Sequence, residues 1–77
     1  MSQDEWKIKF GERLDTLLKE KKMSRSELAR ASGLAPSRIS DYIKSKAAPN
    51  IYALINMADA LEMKIDDLIG CDELVRK

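Results

Sequence analysis

Seventy-seven residues, 44% hydrophobic and 35% charged, suffice for one small domain with a modest core and are too polar for a membrane span. The sequence has no histidine and one cysteine, Cys71, which removes the commonest general base, the usual zinc ligands and any intrachain disulfide. No enzyme, metal site or cofactor is expected, and a reducing cytoplasm is. The acidic start Asp4-Glu5 is unlike a secretory leader. The net charge of +1 is unevenly spread. Residues 19–46 carry eight basic side chains against three acidic, whereas both flanking stretches are net acidic. A basic middle between acidic ends points to one face that meets an anion.

Every predicted element is a helix. Ser2 with Glu5 three residues on forms a capping box, and Trp6, Phe10, Leu14, Leu17 and Leu18 follow as one apolar stripe. Gly11 inside that helix costs roughly 1 kcal/mol relative to alanine, which makes it a candidate for close packing. The cations Lys21 and Lys22 suit the helix end. Ser24-Arg25-Ser26-Glu27 is a second capping box, with Met23 and Leu28 placed as a hydrophobic staple. Gly33 ends this short helix in a left-handed turn.

Pro36 fits the first position of a third helix, expected over about 36–45, while Ala35 is a poor cap before it. Ile39, Tyr42 and Ile43 give that helix its buried side; Ser37, Arg38, Asp41 and Lys44 point elsewhere. Asn50 caps a fourth helix, whose buried stripe is expected to be Ile51, Leu54, Ile55, Ala58 and Leu61. A last turn, Asp66 to Ile69, stops at Gly70. The expected organisation is one domain over 1–77, with its core in 4–70 and a tail over 71–77 that either joins a dimer or is disordered.

Two short helices joined by a tight glycine turn, the second opening onto polar residues, read as a helix-turn-helix. Ala29 is small where the helices cross, and Leu28, Leu34, Ile39 and Tyr42 lock the pair. The outer flank of the second helix is then free for a major groove, where every base pair shows a distinct donor and acceptor pattern. On Met23 to Ala29, Gly33-Leu34, Ser37-Arg38-Ile39-Ser40 and the span Pro49 to Leu61, the chain resembles the lambda repressor and Cro-like (XRE) DNA-binding domains, from about Leu14 to Ile69.

That resemblance implies an all-α, five-helix fold and a sequence-specific regulator that binds double-stranded DNA, as a homodimer on a short palindrome, with repression by occlusion. It places Arg25, beside Ser26, where the family holds a phosphate. Pro36, Ser37, Arg38 and Asp41 fall where it reads base edges, and Lys44 and Lys46 beside the flanking backbone. Proline offers no donor, so Arg38 to a guanine is the leading base contact. Asp41 either orients that guanidinium or accepts from a cytosine amine. Where the family often has a buried ion pair, Leu18 and Ile43 are both apolar and are expected to pack together. Ile65, Ile69, Leu74 and Val75 are the expected dimer surface, and Cys71 is either inert or a cross-dimer thiol. The competing reading is a protein-docking module of the same fold, such as an antitoxin bound to its toxin; Pro36, Asp41 and the small net charge weaken a polyanion-binding face.

Overall fold

The computed structural model describes residues 2–70. Five helices follow one another: α1 (Gln3–Glu20), α2 (Arg25–Ser32), α3 (Pro36–Ile43), α4 (Ile51–Ala60) and α5 (Ile65–Ile69). None of them is long and apolar enough to cross a membrane.

The helix starts are set by local chemistry. The Ser2 Oγ accepts from the Glu5 backbone N–H at 3.1 Å, and the Glu5 carboxylate accepts in return from the Ser2 N–H. At α2 the Ser24 Oγ accepts from the Glu27 N–H at 3.0 Å, and Glu27 Oε1 accepts from the Ser24 N–H at 2.9 Å. That backbone bond from Ser24, with the serine side chain second, holds the exposed Glu27 carboxyl below its ordinary range. Asn50 Oδ1 accepts from the Ala53 N–H at 2.8 Å to open α4. Ala35 supplies no side-chain cap to α3, which begins instead on Pro36.

Each helix contributes to one core. Phe10 and Leu14 from α1, Leu28 from α2, Ile39 from α3, Met57 from α4 and Leu68 from α5 are all fully buried, with Leu61 at the end of α4. Trp6 stacks on Phe10, one turn along α1, with ring centroids 5.1 Å apart, and is half-buried beside the core. Leu18 is buried and Ile43 half-buried in the same cluster, so hydrocarbon fills both positions.

Two expectations need correction. The fourth helix buries only part of its expected stripe: Ala58 and Leu61 are buried and Leu54 half-buried, but Ala53 and Met57 turn inward in place of Ile51 and Ile55, which stand 64% and 48% exposed. Eight of its ten residues are apolar, so helical periodicity fits more than one inward face, and the neighbours α2 and α5 choose among them. The third helix ends at Ile43 rather than near residue 45: Lys44 is its cap and Ser45 takes a left-handed backbone with φ 63°.

Two long-range joints fix the frame. Arg13 of α1 reaches the end of α5, its Nε donating to Leu68 O at 2.9 Å and to Asp67 O at 3.1 Å, with its Nη2 also on Asp67 O. The guanidinium thus adds donors to the carbonyls at the helix end, where Asp67 O also accepts from the Gly70 N–H. Against Gly11 lies the C-terminal end of α3. A methyl group at Gly11 would sit 2.7 Å from both Tyr42 O and Ile43 O. Beside that contact the Ser45 Oγ donates to Lys7 O at 3.2 Å.

Candidate nucleic-acid interface

The geometry of α2 and α3 follows from the residues between them. Gly33 takes φ 73°, a left-handed turn that costs an L side chain energy, and its N–H donates to Ala29 O to close α2. Leu34 N–H then also donates to Ala29 O at 3.1 Å, so the chain doubles back within a few residues. Ala29, 2% exposed, sits in the crossing of the pair. Leu28, Ile39 and Tyr42 are buried and Leu34 half-buried against them, as the spacing predicts.

Burying Ile39 and Tyr42 turns the opposite flank of α3 outward. Pro36, Ser37 and Arg38 are exposed at its start, and Lys44 and Lys46 are exposed at and beyond its end. Asp41 is only half-buried rather than fully outward. It sits on the margin of the flank, where it reaches the groove side less freely than Arg38. On α2, Arg25 and Ser26 are exposed at the first turn. Described residues of the tail side are different in character: Ile65 and Ile69 are half-buried against the molecule's own core. Leu74, Val75 and Cys71 lie outside the described residues.

One contact was not foreseen from the sequence. Arg25 Nη1 donates to Ser40 Oγ at 3.4 Å, tying the first residue of α2 to the half-buried middle of α3. Residues fifteen positions apart give no periodic signal of such a pair; only the turn at Gly33 brings them together. The bond holds the Arg25 side chain over the seam between the two helices. The cations Arg25, Arg38, Lys44 and Lys46 therefore frame a short helix whose polar side is uncovered, an arrangement suited to a polyanion with a groove.

Two residues expected on the buried stripe of α4, Ile51 and Ile55, are exposed instead, and Tyr52 beside them stands at 67%. The signal that was available is compositional: α4 carries a single charged residue, Asp59.

Comparison with known proteins agrees with this geometry. The Helix-turn-helix family description matches residues 14–68, which takes in all of α2, α3 and α4. Among solved structures, the restriction-modification controller protein C.AhdI from Aeromonas hydrophila is similar with a TM-score of 0.78 and 29% identity, covering 80% of this chain and 94% of that one. A search of curated proteins gave no match. The chain belongs to the XRE, lambda repressor-like helix-turn-helix family of DNA-binding transcriptional regulators.

Proposed function

We propose that this chain reads a short palindromic operator as a homodimer, each copy placing α3 in the major groove, and that it represses by occluding the site. The observation that carries the reading is the uncovered polar flank of α3, with Ser37 and Arg38 exposed and Arg25, Lys44 and Lys46 around them. In this reading Arg38 contacts a guanine edge, while Ser37 and Asp41 adjust neighbouring positions and Pro36 meets a thymine methyl. Arg25, Ser26, Lys44 and Lys46 hold phosphates and set the register. The likeness to a restriction-modification controller supports a regulatory role. A dimer of this kind reads half-sites one helical turn apart, about 34–36 Å. Toxin binding by a module of this fold would also use an exposed apolar surface, and α4 offers one.

Two single substitutions separate the roles. Arg38→Ala is expected to lower affinity by about 1–3 kcal/mol on the preferred site and to relax preference at one base pair. Lys44→Ala is expected to weaken all duplexes alike and to reduce the slope of log affinity against log salt by about 1. Binding isotherms over a salt series, on the preferred site and on single-base variants, distinguish these outcomes. Equal behaviour of the two variants would remove the assignment of base reading to Arg38.

A further inference from the structure

The bond from Arg25 Nη1 to Ser40 Oγ, 3.4 Å long, is the one side-chain hydrogen bond between α2 and α3 among the described residues. Its partner is unusual for an exposed cation of this chain. Lys7 pairs with Asp4 at 3.4 Å and Lys19 with Asp15 at 3.0 Å, so each meets a carboxylate. The acid nearest to Arg25 in sequence, Glu27, is instead committed to the Ser24 N–H that opens α2. A hydroxyl accepts from the guanidinium without cancelling its charge, and the rest of the fork of N–H donors stays available to another acceptor. Stability gives little reason for such a bond, since a long hydrogen bond at an exposed side chain contributes weakly to folding.

We infer that Ser40 is a positioning residue for DNA binding: through Arg25 it selects which phosphate the start of α2 holds, and with it the register of α3 in the groove. Ser40 is half-buried, and the burial of its neighbours Ile39 and Tyr42 fixes its place on α3. With about 100° between successive residues, Ser37, Ser40 and Lys44 fall within an arc of roughly 60° along α3 and its cap. The bond therefore sets the guanidinium at the margin of the exposed flank, on the side that Ser37 and Lys44 share. The backbone of the same residue stands in the first turn of α2. Ser24 Oγ takes the Glu27 N–H there, which leaves the N–H groups of Arg25 and Ser26 to meet an anion. Untethered, an arginine side chain samples many rotamers and reaches more than one phosphate. Tied to Ser40, it offers its charge at a set offset from the residues that face base edges. Such a contact adds to binding only where α3 sits in its own register.

This inference rests on the reading of α3 as the groove helix and of Arg25 as a phosphate contact, and its test separates the two. The measurement is a double-variant cycle of Arg25→Ala and Ser40→Ala in the full chain. Affinity is read on a duplex selected from a random pool and on an unrelated duplex, with the urea midpoint as the check on folding. Ser40→Ala is expected to lower affinity for the selected duplex about fivefold, and for the unrelated duplex much less, at an unchanged midpoint. In the Arg25→Ala background the same substitution is expected to have no further effect, because Ser40 acts only through that guanidinium. Ser40→Thr keeps the hydroxyl and is expected to restore binding. Single methylphosphonate substitutions, which remove the charge of one phosphate at a time, give a readout that packing alone would not move. The phosphate that ceases to matter in Arg25→Ala is expected to cease to matter in Ser40→Ala as well. Additive losses in the cycle, an equal loss on both duplexes, or full affinity in Ser40→Ala overturns the role of Ser40 and leaves the DNA reading in place. A parent chain that retards no duplex at low salt overturns both.

Discussion

Gly11→Ala is expected to destabilise the protein by about 2 kcal/mol or more, although alanine is the better helix former by roughly 1 kcal/mol. The new methyl group would stand 2.7 Å from the carbonyl oxygens of Tyr42 and Ile43. Both sides of that clash are backbone, Gly11 inside α1 and the last two residues of α3, so relief requires the end of α3 to move away from α1. The Ser45 Oγ bond to Lys7 O lies in the same joint and would be strained with it. In thermal unfolding, a loss of this size in a domain of this length lowers Tm by roughly 10 °C. The same displacement tilts the far end of α3, so DNA affinity is expected to fall even at temperatures where the variant is folded. A variant with unchanged or raised Tm would show that α3 does not close onto α1 at Gly11.

The second large effect is expected from Ile39→Ala. Ile39 is fully buried in the middle of α3, one residue from the exposed Arg38. Removing its side chain leaves a cavity among the buried side chains of the core, and such losses run about 2–5 kcal/mol. A domain of this length has a total stability of the order of 4–12 kcal/mol at roughly 0.05–0.15 kcal/mol per residue. The variant is therefore expected to unfold at a much lower urea concentration than the parent. Arg38→Ala, by contrast, is expected to leave the urea midpoint nearly unchanged while altering sequence preference. Adjacent residues thus divide between holding the helix and using it. A change of under about 1 kcal/mol for Ile39→Ala would mean that α3 is not anchored through this side chain.

What could be read from the sequence is what depends on near neighbours. Ser24 with Glu27, and Ser2 with Glu5, each specify a helix start within four residues, and the reciprocal bonds are present at both. Gly33 and Pro36 mark the turn and the next helix because each has a backbone preference that its neighbours cannot override. With Leu28 and Ile39 buried, the exposed flank of α3 followed by subtraction. The face of α4 could not be read in this way. Ile51, Leu54, Ile55, Ala58 and Leu61 make as regular a stripe as Ala53, Met57, Ala58 and Leu61, and periodicity has no means of preferring one. The choice depends on α2 and α5 packing from particular directions, a tertiary fact. The same holds for Arg13 on the end of α5 and for Arg25 on Ser40, which join residues far apart in sequence through the turns between them. The exposure of Arg25, Ser26, Pro36, Ser37, Arg38, Lys44 and Lys46 was legible, whereas the half-burial of Asp41, the bracing of Arg25 and the exposed apolar face of α4 were not.

Guanine methylation interference on a duplex selected from a random pool tests the docking of α3 most directly. N7 of guanine lies in the major groove and methylation there blocks both its acceptor and the space beside it, whereas adenine N3 reports the minor groove. With the parent chain, interference is expected at guanine N7 positions in two symmetric half-sites, and Arg38→Ala is expected to abolish it at one guanine in each. Interference confined to adenine N3, or a selected pool with no retained duplex at low salt, would contradict the placement of α3 in the major groove.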